Sequence, residues 1–69
     1  MSLRAVLARN LRRLRQAKRL SQEELAARAE ITGNYVSSLE REEYAVSIDV
    51  LEQLALALDV EPAALLGKD

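Results

Sequence analysis

The sequence predicts an all-α domain of five short helices, and three observations support this class. Ala, Leu, Glu and Arg dominate the 69 residues, whereas the chain contains two tyrosines and no Phe or Trp, a composition that favours helices over strands. Apolar residues recur at spacings of three and four, which places them on one side of a helix. Residues that cap helix N-termini stand where the second, third and fourth of these patterns begin.

The first predicted helix covers residues 3–18 and combines an apolar stripe with a basic surface. Three- and four-residue spacing joins Leu3, Val6, Leu7, Ala8, Leu11 and Leu14 into the stripe. Basic residues cover its remaining surface. Lys18 and Arg19 follow at the C-terminal end, where the helix dipole favours cations.

The second and third predicted helices are separated by a very short turn. Ser21 and Glu24 form a capping box that starts the second helix, with an inward face of Leu25, Ala26 and Ala29. Only Glu30 and Ile31 lie between the second helix and Thr32. Thr32 caps a third helix, whose apolar face is Tyr35, Val36 and Leu39. So short a turn predicts that the two helices cross at a steep angle, which is a helix-turn-helix pattern.

The last two predicted helices complete the core after a loop around residues 42–46. Ser47 caps the fourth helix, whose apolar spacing is the most regular in the chain and comprises Ile48, Leu51, Leu54, Ala55 and Leu58. The fifth helix is short, with Pro62 at its first position and Gly67 just past its end.

The composition argues against several functional classes. With no Cys and no His, the chain lacks thiolate and imidazole metal ligands, disulfides and the usual general base. It also lacks a glycine-rich phosphate loop, and no apolar run approaches the roughly 18 to 20 residues of a membrane span. We expect a cytoplasmic protein that is not an enzyme, holds no cofactor or metal and does not enter a membrane.

The residues across these helices resemble the helix-turn-helix family of phage Cro and repressor proteins. The resemblance covers residues 3–66 and is carried by Leu20, Ser21, Gln22, Glu23, Glu24, Leu25 and Ala26, then Ile31, Thr32, Tyr35, Val36, Ser37, Leu39, Glu40 and Arg41, then Leu51, Leu54, Ala55 and Leu58. It implies a compact lambda-repressor-like DNA-binding domain, with the helix-turn-helix formed by helices 2 and 3. The implied partner is double-stranded DNA.

The resemblance also implies which residues bind DNA. Gln22 matches a position that touches a phosphate or a nearby base, and Arg41 matches a flanking backbone contact. Asn34 carries the amide that can pair with adenine N6 and N7, although short polar residues also coat ordinary solvated helix faces. We expect the DNA-binding residues to be Gln22, Thr32, Gly33, Asn34, Tyr35, Ser37, Ser38 and Arg41, with Ser38 on the exposed helix face and Tyr35 mostly in the core.

Three departures from the family pattern affect this expectation. Glu30 replaces the usual turn glycine, so we expect a left-handed backbone there, at a cost of roughly 1 kcal/mol. Gly33 stands where many relatives project a base-reading side chain, so the backbone can approach DNA more closely. Glu42 and Glu43 replace a glycine and a base, which weakens the phosphate contacts of that loop.

The charge is distributed very unevenly along the chain. Residues 1–19 contain seven bases and no acid, and residues 20–69 contain three bases and eleven acids, so +7 stands beside −8 in a chain of net charge −1. DNA responds to the local potential rather than the net charge. Some of Arg4, Arg9, Arg12 and Arg13 are therefore expected to face DNA. Arg15 and Glu40 match a pair that joins helix 1 to helix 3, a structural role.

One such motif contacts few base pairs, so a homodimer on a palindromic operator is expected, with half-sites about 34 Å apart. The candidate dimer residues are Val46, Val50, Leu56, Val60, Leu65 and Leu66; Leu65 and Leu66 alternatively complete the monomer core. The predicted function is a transcriptional repressor or controller that acts on its own promoter. The alternative is a protein-interaction module, antitoxin-like or an anti-regulator, that uses Glu42, Glu43, Tyr44 and Val46 to bind a protein partner.

Overall fold

The computed structural model describes residues 2–67, and five α-helices make up most of them. The helices are α1 (Leu3–Ala17), α2 (Gln22–Ala29), α3 (Gly33–Glu40), α4 (Ile48–Leu58) and α5 (Pro62–Leu66). No strand occurs in the described range, which confirms the predicted all-α class, and α1 ends one residue earlier than predicted. Within the same residues, no helix has the length and apolar character needed to cross a bilayer.

The helices begin where the capping residues predict. The Ser21 hydroxyl accepts a hydrogen bond from the Glu24 N–H at 3.0 Å, and the Glu24 carboxylate accepts one from the Ser21 N–H at 2.8 Å. Thr32 and Ser47 each accept a bond at 3.1 Å from the N–H three residues on. Ser2 caps α1 in the same way at 3.2 Å, a cap that was not predicted from the sequence.

The core is a set of leucines and small residues drawn from all five helices. α1 packs on α3 and α5, α2 packs on α3 and α4, and α4 packs on α5. The buried cluster comprises Leu7, Leu11, Leu20, Leu25, Ala26, Ala29, Val36, Leu39, Leu54, Ala55, Leu58 and Leu65. Leu3 and Ile48, although in phase with it, are 66% and 77% exposed, because the first turns of α1 and α4 extend beyond the core.

An apolar groove lies between the exposed starts of α1 and α4. Leu3 and Ile48 form its rims, and Leu7, Val46, Leu51 and Leu66 line it. We call this the α1–α4 groove. Arg4 lies at the edge of this groove. At least one basic residue of α1 is therefore on this side of the molecule.

Asn10 links α1 to α5 through hydrogen bonds inside the core. Its side chain is fully buried, and Nδ2 donates hydrogen bonds to the carbonyl oxygens of Leu65 at 3.0 Å and Gly67 at 2.7 Å. Helix C-terminal carbonyls have no partner inside their own helix, so Asn10 supplies one. Gly67 itself is extended (φ −90°, ψ 157°), so its conformation does not require glycine.

Between residues 2 and 67, four turns place a residue other than glycine in the left-handed region. These are Arg19, Glu30, Glu42 and Asp59, with φ of 58°, 61°, 63° and 58°. The left-handed conformation expected for Glu30 is thus confirmed. Its N–H bonds the Ala27 carbonyl at 3.3 Å, and the Ile31 N–H bonds the Ala26 carbonyl at 2.9 Å, an arrangement typical of helix ends.

Replacing Glu30 by Gly is expected to raise the free energy of unfolding by about 1 kcal/mol, because glycine adopts this backbone without steric strain. Removal of an acid from the C-terminal end of α2 acts in the same direction. The measurement is urea denaturation followed by circular dichroism. Glu52→Gly, at an exposed position inside α4, is the control and should lower stability by about 1 kcal/mol. Equal losses in both variants would contradict the strain assigned to Glu30.

Candidate nucleic-acid interface

The helix-turn-helix consists of α2, the turn residues 30–32 and α3. The turn is closed by the backbone hydrogen bonds at Glu30 and Ile31, and Ala26 and Ala29 are buried beneath it. Small side chains there allow α3 to cross α2 closely. The first turn of α3 therefore stands at the surface in a fixed orientation.

The exposed start of α3 presents polar side chains, and one of them, the Asn34 amide, is not used by the rest of the described fold. Thr32 and Asn34 are exposed, and the Asn34 amide forms no hydrogen bond with any residue in the described range 2–67. Both line a shallow surface depression, together with Tyr35, Ser38, Tyr44 and Ala45. Tyr35 is half-buried against the core, as expected. The amide of Asn34 can thus form hydrogen bonds with an external partner.

Ser38 is not on the exposed face of α3. It is 8% exposed, because the loop after α3 folds back over it and the Glu43 N–H donates to the Ser38 carbonyl at 2.9 Å. The prediction of an exposed Ser38 is therefore wrong. Helical spacing correctly places Ser38 on α3, but it does not show that the loop after α3 covers this side chain. Only one edge of Ser38 reaches the surface depression.

Arg41 is held by an acid from the same loop. Its Nε and Nη2 atoms donate to the Glu43 carboxylate at 2.9 and 3.0 Å, and Nη1 donates to the Ser37 hydroxyl. These hydrogen bonds lower the pKa of Glu43 and raise that of Arg41. Both side chains are about half exposed. Two expected DNA-binding residues, Ser37 and Arg41, thus already contact each other, with an acid beside them.

A buried carboxylate at the end of α3 joins three helices. Glu40 is 4% exposed, and the Arg15 guanidinium donates to its two oxygens at 2.7 and 3.0 Å, which confirms the predicted pair. Gln22 Nε2 donates to Glu40 Oε1 at 3.1 Å. Burial raises the pKa of Glu40, but the hydrogen bonds from Arg15 and Gln22, with the charges of Arg15 and Arg12, outweigh burial and lower it.

Two further side chains complete this arrangement, which we call the Glu40 network. Arg12 Nη2 donates to the Glu40 carbonyl at 2.8 Å, while about half of its side chain remains exposed. Arg12 thus places a cation beside the end of α3, which helical periodicity alone did not predict. Gln22 was expected to contact a phosphate or a nearby base, but its amide donates to Glu40 in the structure, because the buried carboxylate needs donors.

Glu23 occupies the space beside Gly33, the first residue of α3. A Cβ atom at Gly33 would lie 2.5 Å from Glu23 Oε2 and 2.9 Å from Oε1. Glu23 is exposed and forms no ion pair or hydrogen bond with any residue that the structure describes. The sequence pattern predicts no role for Glu23, because nothing in its spacing links α2 to the position of the side chain that Gly33 lacks.

The candidate dimer residues divide into buried and surface sets. Leu65 is fully buried in the monomer core, so its assignment to a dimer interface is wrong: α5 folds back onto α1 and α4. Val46, Val50, Val60 and Leu66 are half-buried. Leu56 is 81% exposed, and the exposed Leu3, Ile48 and Tyr44 were missing from the set. No cluster of three or more potential metal ligands occurs among the described residues.

Five packed helices, with a close α2–α3 crossing and an exposed polar start of α3, define a helix-turn-helix domain of the kind found in transcriptional regulators. The chain belongs to the helix-turn-helix family, whose sequence profile matches residues 11–65. It is 44% identical over 64 residues to a hypothetical transcription factor of Neisseria meningitidis serogroup B. That match covers 93% of this chain but 60% of the relative, so the chain spans less than two thirds of that protein.

Controller proteins are also similar to the chain. The control protein C.SmaI of Serratia marcescens is 38% identical over 68 residues, which cover 99% of this chain and 81% of that protein. The crystal structure of the restriction-modification controller protein C.AhdI from Aeromonas hydrophila superimposes with a TM-score of 0.87 at 42% identity, covering 90% of this chain and 94% of that one. The predicted family and five-helix fold are therefore confirmed.

Proposed function

We propose that the chain is a transcriptional repressor or controller that binds a specific double-stranded DNA sequence as a homodimer. The observation that carries this proposal is the start of α3, where Asn34 and Thr32 are exposed while the Glu40 network holds the other end of the helix. N-terminal residues of a recognition helix contact base edges in the major groove. An asparagine amide there can pair with adenine N6 and N7.

The charge near this surface supports binding to a polyanion. Arg12 lies beside the end of α3, within a segment, residues 1–19, that carries a charge of +7, although Arg4 stands at the α1–α4 groove. Glu43 neutralises Arg41 in the free protein, so a DNA phosphate has to compete with Glu43 for that guanidinium. We therefore expect phosphate contacts from α1 to contribute more of the salt-dependent affinity than the loop after α3.

The names of two relatives support the proposed role as a controller of transcription. These two are named as control or controller proteins. In the proposed function, the protein acts in the cytoplasm and controls its own promoter through its concentration. The palindromic operator follows from the two-fold symmetry of the homodimer.

The test is a fluorescence-anisotropy titration with duplex DNA from upstream of the gene and with a scrambled duplex, at two salt concentrations. We expect a preference of about a thousandfold or more, which falls steeply with salt. Asn34→Ala is expected to weaken operator binding about tenfold, since one base contact is lost. Gln16→Ala, which removes an exposed amide on α1, should leave the affinity unchanged.

Selective binding that Asn34→Ala does not alter would contradict the assigned contact while leaving the function in place. Equal, weak binding to both duplexes, followed by failure to select any sequence from random duplexes, would contradict the DNA function itself. That outcome would favour the protein-interaction module, for which the α1–α4 groove is the observed apolar surface.

The homodimer is expected to use the side of α4 that exposes Ile48 and Leu56, with Glu52 between them. Ile48 and Leu56 are eight residues apart, so both lie on the same side of the helix, and they are 77% and 81% exposed. Leu56→Glu should convert a dimer into a monomer in sedimentation velocity, because it would place a charge in an apolar interface. Gln16→Glu adds the same charge on α1 and should not change the mass. A Leu56→Glu protein that remains dimeric would exclude this side of α4.

A further inference from the structure

We propose that Glu23 contacts a base in the operator and selects a cytosine, a role that rests on the proposed DNA-binding function. In this arrangement, the Glu23 carboxylate accepts a hydrogen bond from the N4 amino group of a cytosine at the major-groove edge facing Gly33. The carboxylate thus takes the place of the side chain that Gly33 lacks.

The position of the carboxylate supports this role. Both Glu23 oxygens lie within 2.9 Å of the site where a Gly33 side chain would begin. Gly33 is the first residue of α3, between the exposed Thr32 and Asn34. The first residues of a recognition helix approach the base edges most closely. When α3 enters the major groove of DNA, Glu23, which lies against Gly33, therefore approaches the base edges together with Asn34.

The unpaired state of the carboxylate indicates that it is available to a ligand. Glu40 and Glu43 are each bound by an arginine, and Glu24 is used in the capping box. Glu23 is exposed and has no ion-pair or hydrogen-bond partner among residues 2–67. Its charge is thus fully available at the start of α3, where an anion is also favoured by the helix dipole.

The chemistry of a carboxylate selects the base. An ionised carboxylate only accepts hydrogen bonds, and a phosphate repels it, so its partner has to be a donor on a base edge. Guanine presents two acceptors and thymine one acceptor and a methyl group, whereas adenine presents its amino group beside the acceptor N7. Cytosine N4 is the donor with no acceptor beside it on the same base. Glutamate at this position therefore favours cytosine.

Two variants test the contact by different means. Glu23→Gln keeps the shape but gives the side chain both a donor and an acceptor, which suits adenine N6 and N7. Gly33→Ala keeps the Glu23 charge, but its Cβ would lie 2.5 Å from Oε2, and the flexible carboxylate must move away. Glu24→Gln removes the same charge one residue further along α2, and glutamine can still serve in the capping box, so it is the matched control.

The experiment is selection of wild-type binding sites from random duplexes, followed by anisotropy titration of every single-base variant of the selected operator. We expect one cytosine in each half-site to be preferred about tenfold by the wild type and by Glu24→Gln. Glu23→Gln should shift the preference at that position toward adenine, and Gly33→Ala should weaken it. Circular dichroism verifies that each variant is folded.

The outcomes separate this inference from the proposed function. If neither variant changes the wild-type order of bases at any position of the operator, Glu23 makes no base contact and the inference is wrong. The DNA-binding function would stand in that case. If the wild-type protein selects no sequence, the proposed function fails and the base contact fails with it.

Discussion

Replacing Glu40 by Ala is expected to lower the free energy of unfolding by about 3 to 5 kcal/mol. The substitution leaves Arg15, whose side chain is 13% exposed, without its carboxylate, and it removes the acceptor for Gln22. A domain of this size is stabilised by little more than that, so the variant should be largely unfolded near physiological temperature. Urea denaturation at low temperature, followed by circular dichroism, measures the loss.

The chain contains its own control for this prediction. Glu43 also binds an arginine through two hydrogen bonds, at 2.9 and 3.0 Å, but about half of each side chain is exposed. Solvent screens such a pair, so Glu43→Ala should change stability far less than Glu40→Ala does. Similar losses in the two variants would show that burial does not determine the strength of these pairs.

The pH dependence of stability provides a second measurement on Glu40. Its pKa is lowered in the folded state, so the folded state binds fewer protons than the unfolded state in the acidic range. The contribution of ionised Glu40 to the free energy of unfolding is therefore fully present above the unfolded pKa of about 4.3. It is lost as the pH falls through the folded pKa. Glu40→Gln should be less stable at neutral pH, with a smaller further loss below about pH 4.3. Parallel pH profiles would contradict the assignment.

Replacing Asn10 by Leu is expected to lower the free energy of unfolding by about 2 to 3 kcal/mol. Leucine has a similar size and suits the apolar surroundings, but it donates no hydrogen bond. The carbonyl oxygens of Leu65 and Gly67, which accept from Asn10 at 3.0 and 2.7 Å, would lose this donor. Chemical denaturation measures the loss, and hydrogen exchange should show α5 opening first.

The control is Asn34→Leu, which makes the same chemical change at an exposed residue. Asn34 forms no hydrogen bond with any described residue, so its replacement should change stability by about 0.5 kcal/mol or less. A stable Asn10→Leu protein would mean that water or a rearranged α5 replaces the two hydrogen bonds.

Local signals in the sequence were sufficient for the helices. Ser21 and Thr32 cap α2 and α3 through bonds that span three residues, and such spacing can be recognised in the chain itself. The Arg15–Glu40 pair spans 25 residues and was predicted only because the chain resembles a known family. Its bidentate geometry and its link to Gln22 depend on how α1, α2 and α3 pack together.

Contacts that depend on how separate elements and loops pack account for the errors and omissions. Asn10 bonds residues more than fifty positions away, and an asparagine within a basic helix has the pattern of a surface residue. Ser38 has the spacing of an exposed residue until the loop that carries Glu43 covers it. The proximity of Glu23 to Gly33 depends on the crossing of α2 and α3. None of these relations has a periodic signal, so the sequence could not predict them.

The division of α3 into two sets of residues bears on how such proteins diverge. Val36, Leu39 and Glu40 are buried and hold the helix in place, whereas Gly33, Asn34 and Ser37 carry little of the packing. Substitutions in the second set should therefore alter the operator with little loss of fold. Duplicated copies could acquire new operators through few mutations, and an engineer could redirect the domain by randomising these three positions together with Glu23.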